Sequence, residues 1–192
     1  MDKNLISFYK SKRIIASRGY LETITWSFQS NEMSDIGDIK ETVKIKNPIS
    51  ADLDTMRNSI IPNLLSAINI NINRLFDNGK IFEVGPLFLG TKDQEQQMIA
   101  TGISYGAKYS HNWNDEKRLS DVFDIKSDVY FILNQLNIPT ENFLYENIES
   151  NFYHPGKSAQ LKIGKSILSR FGEIHPFILQ KFEIKSNVNG FE

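Results

Sequence analysis

The strongest structural signal in the sequence is a pair of apolar runs, KIFEVGPLFL at residues 80–89 and QMIATGISY at residues 97–105. Both runs are rich in residues that favour strands, and a short polar loop at residues 90–95 joins them. Runs this close in sequence pair in the antiparallel sense, because a parallel connection needs a dozen or more residues. The two runs therefore predict an antiparallel hairpin.

Three amphipathic helices are predicted around this hairpin. The first covers residues 5–18 and ends at Gly19, a typical helix C-cap residue. The second follows Ser59, a suitable N-cap, and continues to about Phe76. The third covers residues 124–136. Each has apolar side chains at helical spacing, so each is expected to pack one face on a sheet.

The remaining elements are short. Further strands are predicted at residues 21–28, 42–46, 143–145, 159–163 and 167–172, with a short helix at 175–182. Successive strands lie too close for parallel crossovers, so we expect an α+β domain with an antiparallel sheet flanked by helices. We expect residues 1–192 to form a single domain. The strand-like run at its end, without a turn or cap, is typical of one section of a longer protein.

Composition excludes several classes of function. The formal charge of −1 gives no overall basic field for binding nucleic acid. The chain has no cysteine, which rules out disulfides, thiolate nucleophiles and cysteine-bound zinc. No apolar run approaches the roughly 20 residues that cross a bilayer. We therefore expect a soluble, cytoplasmic protein with no membrane contact.

The three histidines are candidate metal ligands. They occur at His111, His154 and His175, without the i,i+4 spacing of a metal site. We expect turn or surface histidines and no bound metal.

The corner FGEIHP at residues 171–176 is a candidate active site, as is YHPGKSA at residues 153–159. Glu173 and His175 could act as acid and base in an enzyme. The same residues also suit a strand-to-helix corner, with Glu173 accepting backbone hydrogen bonds and Pro176 early in the helix. We favour the structural interpretation, because no phosphate-binding or nucleophile motif accompanies the corner.

Basic and aromatic residues come together only at residues 108–118, around Trp113. Acidic residues in the same segment dilute the positive charge. We favour a polar loop anchored by Trp113, and an RNA-binding module acting through this loop is a weaker alternative.

Six motifs follow one another along the chain. They are KNPIS (46–50), MRNSIIPNLL (56–65), IFEVG (81–85), DIKSDV (124–129), YHPGKSA (153–159) and FGEIHP (171–176). Together they resemble the beta subunit of bacterial phenylalanyl-tRNA synthetase, and RGYLE at 18–22 and SF at 27–28 fit as well. The resemblance spans nearly the whole chain but only one section of that subunit, its catalytic-like module. Ser127 stands where the family usually has glycine.

The resemblance implies a fold and a role. The fold would be that of the class II synthetase catalytic core. In this family the alpha subunit holds the aminoacylation site, and the beta module packs against it in an (αβ)2 heterotetramer. The holoenzyme joins phenylalanine to its tRNA, using ATP and magnesium. By analogy with class II motif 1, the contact surface would be the helix at residues 5–18 and the strand through Trp26.

The residues around Glu83 bear on whether the chain is a catalyst. Working class II sites place an arginine beside the equivalent glutamate, because a fixed cation must neutralise charge developing on the α-phosphate. Here Ile81 and Phe82 precede Glu83, and the third, glycine- and arginine-containing motif is also missing. We therefore expect no catalytic, cofactor-binding or metal residue and an inactive fragment of a phenylalanine–tRNA ligase. The alternative is a free-standing adenylate-forming ligase centred on Glu83, Glu173 and His175.

Overall fold

The computed structural model describes residues 3–39, 42–109, 112–114 and 118–192. Its helices are α1 (Lys3–Ser17), α2 (Asn31–Asp35), α3 (Ile61–Asn73), α4 (Val122–Gln135) and α5 (Pro176–Lys181). Its strands are β1 (Leu21–Glu22), β2 (Phe28–Gln29), β3 (Thr55–Met56), β4 (Gly79–Phe88), β5 (Gln96–Tyr105), β6 (Leu144–Glu146), β7 (Tyr153–Ile163), β8 (Ser166–Ile174) and β9 (Val188–Phe191). None of the helices in the described ranges is long and apolar enough to cross a membrane.

Seven strands form one sheet in the order β1-β4-β5-β9-β8-β7-β6, and β2 pairs with β3 in a separate two-stranded ribbon. All pairings in the large sheet are antiparallel except that of β1 with β4. The predicted α+β architecture, an antiparallel sheet flanked by helices, is confirmed. The predicted hairpin is also confirmed, since β4 and β5 pair along their whole length with Ile81 opposite Ile103.

Each face of the sheet carries its own apolar core. On one face, α3 and α5 pack through a cluster that contains Leu64, Ile68 and Ile178. On the other face, α1 and α4 pack through a cluster that contains Ile15 and Ile125. The strand β4 contributes side chains to both cores, because successive side chains of a strand point to opposite faces of the sheet. The sheet is therefore covered on both sides by amphipathic helices.

The predicted strand at residues 21–28 is mostly wrong. Only β1 and β2 at its two ends are strands. Between them Thr23 still donates its N–H to the Phe82 carbonyl at 2.7 Å, but Thr25 turns its N–H to the Glu83 carboxylate at 3.1 Å. The chain leaves the sheet here because the Glu83 side chain accepts the Thr25 N–H, which would otherwise donate to a carbonyl of the neighbouring strand.

The predicted strand at residues 42–46 is also wrong among the residues described. Lys44 makes a single bridge to Thr55, and no ladder follows from it. Lys40 and Glu41, just before it, lie outside the described residues. High β-propensity without a continuous partner strand does not make a strand.

The predicted start and end of α3 are each displaced. The N-cap position is Ile60, and Ser59 instead accepts the Ile61 N–H on its hydroxyl at 3.2 Å. The helix ends at Asn73, because Leu75 adopts a left-handed conformation (φ 69°) and the Phe76 N–H returns to the Asn71 carbonyl. Leu75, an apolar residue near the end of the predicted helix, is therefore exposed and does not pack in the core.

Candidate functional site

The residue at the centre of the catalytic-like region is Glu83, on β4. Its side chain is buried and points to the α3 face of the sheet. Thr25 approaches it from the segment between β1 and β2, donating its hydroxyl to Glu83 Oε2 at 2.6 Å. The carboxylate thus has a polar partner from the segment that had been predicted as a continuous strand.

Arg57, which follows β3, lies against the same carboxylate. Its Nη1 is 2.7 Å from Glu83 Oε1 and also donates to the Thr25 hydroxyl at 3.0 Å. Its Nε donates to the Pro86 carbonyl at 3.0 Å. The side chain is only 2% exposed. A buried guanidinium with these partners is neutralised within the protein and holds its geometry rigidly.

Gly85 makes room for this guanidinium. A Cβ built on Gly85 would lie 2.4 Å from Arg57 Nη2 and 3.1 Å from Glu83 Oε1. The role of Arg57 was not predicted from the sequence. A cation was expected directly beside Glu83, whereas Arg57 lies 26 residues earlier in the chain. The sequence indication was the MRNS segment, in which Arg57 is the one charged residue.

The corner after β8 forms the cap of a helix. His175 is the N-cap of α5 and accepts the Phe177 N–H on Nδ1 at 3.1 Å, and Pro176 is the first helical residue. The predicted backbone hydrogen bonds to Glu173 are replaced by a hydrogen bond from Lys157 Nζ to its Oε2 at 2.8 Å. A cation across the β7–β8 pair offers the carboxylate a stronger partner than a neutral amide.

Two of the three histidines are brought together. The His154 and His175 rings stack with centroids 6.3 Å apart. Each uses its Nδ1 to accept a nearby backbone N–H, from Gly156 in one case and Phe177 in the other. His111 lies outside the described residues, and those described contain no group of three or more side chains able to hold a metal ion.

The structure does not bring Glu83 together with Glu173 and His175. Glu83 is on β4 and Glu173 is on β8, and β5 and β9 lie between these strands. Three strand spacings separate them by roughly 14 Å. An acid–base centre that joins these residues is therefore not formed.

A second buried carboxylate, Asp128 of α4, ties three elements together. Its oxygens accept from Arg18 Nε at 2.8 Å, Lys80 Nζ at 2.9 Å and the Tyr20 hydroxyl at 2.9 Å. Burial, reinforced by this negative charge, raises the pKa of Tyr20 well above its ordinary value. Two cations and a phenol bind the Asp128 carboxylate. The cluster therefore connects the segment that follows α1 with the helix α4 and the strand β4.

The loop at residues 108–118 is described only in part, since residues 110–111 and 115–117 lie outside the described ranges. The Asp124 carboxylate lies 2.7 Å from both Lys108 Nζ and Arg118 Nη2. Burial opposes this charge, but the hydrogen bonds from Arg118 and Lys108 outweigh it and lower the pKa of Asp124. The two described cations are therefore engaged within the protein. The predicted anchoring of the loop by Trp113 is wrong, because this side chain is almost fully exposed.

Six large apolar side chains on α1 and on the segment after it are exposed. We call them the apolar edge: Leu5, Ile6, Tyr9, Leu21, Ile24 and Trp26. Ile24 is 85% exposed and Trp26 67%. The Lys12–Glu22 ion pair joins the helix to this segment. Large exposed apolar side chains on one helix and on the segment ion-paired to it suit a surface that another protein covers.

Comparison with known proteins identifies the family of this chain. The family model described as "Phenylalanyl tRNA synthetase beta chain CLM domain" matches residues 4–192. The chain belongs to the phenylalanyl-tRNA synthetase beta chain family. The motifs and their order therefore reflect true relationship, and the resemblance inferred from them is confirmed.

The curated relatives of this chain are also phenylalanine–tRNA ligase beta subunits. The phenylalanine–tRNA ligase beta subunit of Rhodospirillum rubrum is 37% identical over 182 residues, which cover 94% of this chain and 23% of that protein. The beta subunit of Rickettsia bellii is 36% identical over 192 residues, covering 99% of this chain and 22% of the relative. The chain thus spans less than a quarter of the length of these relatives.

Solved structures with low sequence identity share the fold. The pyrrolysyl-tRNA synthetase PylSc of Desulfitobacterium hafniense superposes with a TM-score of 0.72 at 16% identity, covering 98% of this chain and 65% of that one. A second structure of pyrrolysyl-tRNA synthetase from the same organism gives 0.70 at 13% identity, covering 97% and 64%. The fold is that of a class II synthetase core, as the resemblance implied.

Proposed function

We propose that this chain is a single non-catalytic module, one section of a longer phenylalanine–tRNA ligase beta subunit, that packs against the alpha subunit. The alpha subunit would attach phenylalanine to tRNA in the cytoplasm, using ATP and magnesium, within an (αβ)2 assembly. The module would contribute structure to that assembly and no reacting group.

The buried Arg57–Glu83 pair carries this proposal. A class II site needs a cation free to meet the α-phosphate, whereas Arg57 is 2% exposed and bonded to Glu83, Thr25 and Pro86. Removing it from these partners would leave the Glu83 carboxylate buried and unpaired, at a cost of several kcal/mol. The cation nearest the catalytic-like glutamate is therefore committed to the fold.

The apolar edge supports the packing role. It lies on α1 and the segment after this helix, the region expected to form the contact by analogy with class II motif 1. Interfaces between permanently associated subunits are richer in apolar surface than the rest of a protein. Family membership points to the alpha subunit as the protein that covers it.

Mixing the chain with an alpha subunit tests the proposal. A stable complex is expected in size-exclusion chromatography, and Ile24→Asp or Trp26→Ser should weaken it at least tenfold, the loss expected when a buried apolar contact worth about 1.4 kcal/mol is removed. Leu75→Asp and Trp113→Ser are matched controls, because both residues are exposed outside the apolar edge. Equal weakening by the controls would contradict the assignment of this surface.

Catalysis is tested separately by ATP–pyrophosphate exchange with the chain alone. No exchange is expected above background. Exchange that is lost in Glu173→Ala would establish the free-standing ligase instead and overturn the non-catalytic role.

A further inference from the structure

A pocket lined by aromatic and cationic side chains lies along α4, on the opposite side of the sheet from Glu83. Its volume is about 680 Å³, which is within the range of ligand-binding clefts. We call it the aromatic pocket, and its walls include two cations and four rings: Arg18, Lys126, Phe123, Tyr130, Phe131 and Tyr145. None of the described residues that line it is acidic.

The outer face of α4 forms the floor of the aromatic pocket. Phe123, Ser127 and Tyr130 are spaced four and three residues apart, so they lie on one side of the helix, while Ile125 and Val129 are buried on the other. Phe123 and Tyr130 are about 10 Å apart along the helix axis. One base between two rings needs roughly 7 Å at the usual stacking distance. The small Ser127 side chain leaves this space open.

The rings of the aromatic pocket are exposed but held in place. Phe123 is 74% exposed, Tyr145 43% and Tyr130 41%. Tyr130 packs edge-to-face on Phe143, with ring centroids 5.6 Å apart. Tyr145 lies on β6, where it pairs with Leu161 of β7. Exposed rings fixed in this way provide surfaces on which bases stack without sequence preference.

Two cations lie against these rings. Lys126 Nζ is 4.2 Å from the centroid of the Tyr145 ring, and the Arg18 guanidinium carbon is 4.8 Å from that of Phe131. Arg18 is also bound to the Asp128 carboxylate, yet its side chain remains 33% exposed. Cations beside aromatic rings suit a nucleotide, because its base stacks on a ring while its phosphate meets the positive charge.

The carboxylates of α4 do not cancel this positive charge. Asp124 and Asp128 each pair with two cations of the protein. The Asp128 cluster, which contains Arg18 and Lys80, keeps one excess positive charge, and Lys126 adds a second. The surroundings of the aromatic pocket therefore attract an anion, although the chain as a whole carries a formal charge of −1.

We propose that the aromatic pocket binds single-stranded RNA, with a base stacked between the rings and backbone phosphates beside Lys126 and Arg18. The floor from Phe123 to Asn134 is about 16 Å long, so it accommodates a strand and not only a free nucleotide. Charged residues are depleted at the centre of protein–protein interfaces, and two cations among these rings therefore favour RNA over a protein partner. A tRNA is the RNA that the proposed function would bring to this module.

Fluorescence anisotropy with a labelled single-stranded oligouridylate of about ten nucleotides tests the site. Tyr145→Ala should weaken binding at least about fivefold, the lower limit for loss of one stacked base. Lys126→Gln should weaken binding and reduce the slope of log K against log salt by about 0.7, as expected for one phosphate contact. Phe177→Ala and Lys181→Gln are matched controls, because they change a second lysine–ring pair on α5, with Nζ 5.1 Å from the ring centroid.

The controls should bind the oligonucleotide as the unmodified chain does. The same strand annealed to its complement should bind less tightly, because its bases are already stacked within the duplex. Equal binding of the duplex, equal weakening by the controls, or unchanged binding by Tyr145→Ala and Lys126→Gln would overturn the proposal. Displacement of the probe by uridine monophosphate at the same nucleotide concentration would overturn it too, since a free nucleotide would then suffice.

The RNA measurement needs no alpha subunit. A chain that binds the alpha subunit but not the oligonucleotide would contradict the RNA site alone. A chain that binds the oligonucleotide through Tyr145 and Lys126 but not the alpha subunit would support the RNA site and contradict the packing role.

Discussion

Arg57 and Glu83 form an ion pair with Nη1 and Oε1 2.7 Å apart, and their side chains are only 2% and 6% exposed. The pair joins the segment after β3 to the middle of β4, and the Phe88 N–H at the end of β4 also donates to the Arg57 carbonyl at 3.0 Å. Since neither charge reaches water, each depends on the other for its stability.

Arg57→Ala is expected to destabilise the fold by about 3–5 kcal/mol, because it leaves the Glu83 carboxylate buried without a cation. The measurement is the free energy of unfolding in urea. The double variant Arg57→Met/Glu83→Leu should lose much less than the sum of the single losses, since apolar replacement removes both charges together. The Lys12–Glu22 pair, whose side chains are 21% and 38% exposed, is the control, and Lys12→Ala should change the free energy by about 1 kcal/mol or less.

Gly85→Ala should destabilise the protein by about 1–3 kcal/mol, because its Cβ would displace the Arg57 guanidinium. Gly156→Ala is a matched control in another strand, where the nearest atom to an added Cβ is 3.6 Å away. Thermal unfolding of the two variants compares them. Similar melting temperatures would show that Arg57 adjusts without loss.

Concentration-dependent self-association is expected of the purified chain, because the apolar edge is exposed without its partner. Sedimentation velocity over a range of concentrations measures it. Ile24→Asp should shift the chain toward monomer, whereas Leu75→Asp should not. Monomeric sedimentation of the unmodified chain at high concentration would count against the apolar edge as an interface.

The stability of the chain should depend on pH through Glu192. Burial raises the pKa of this carboxyl from its ordinary 4.5 to about 7, although the nearby Arg170 guanidinium acts in the opposite direction. Folding therefore favours the protonated form. Between pH 4.5 and 7 the folded state holds a proton that the unfolded state has released, so stability falls as the pH rises through this window.

The loss across that window is expected to be about 2–3 kcal/mol, measured as the free energy of unfolding at a series of pH values. Glu192→Gln should flatten the profile, because glutamine has no proton to release. A variant that keeps the full slope would assign the dependence to another group.

The parts of the fold that the sequence predicted well are those fixed by contacts close along the chain. The β4–β5 hairpin and the helices α3 and α4 carry their periodicity within one short window each, so local pattern sufficed. The strand proposed at residues 42–46 failed because pairing depends on where distant segments lie.

The candidate site was harder to predict for the same reason. Glu83 stood out from its motif, but its partners Arg57 and Thr25 are 26 and 58 residues away in sequence, respectively. The stacking of His154 on His175 likewise depends on the pairing of β7 with β8. Contacts across a sheet depend on which strands pair, and the paired strands can lie far apart in sequence.

The burial of Phe82 limits how a free cation could be placed beside Glu83 on β4. Its ring is fully buried between α1 and α4, on the opposite face of β4 from Glu83. An arginine at that position would enter an apolar core where the Asp128 carboxylate is already bound by Arg18 and Lys80, and Arg57 would still occupy Glu83. Placing a free cation beside Glu83 would therefore need several simultaneous substitutions, each of which would destabilise the fold alone.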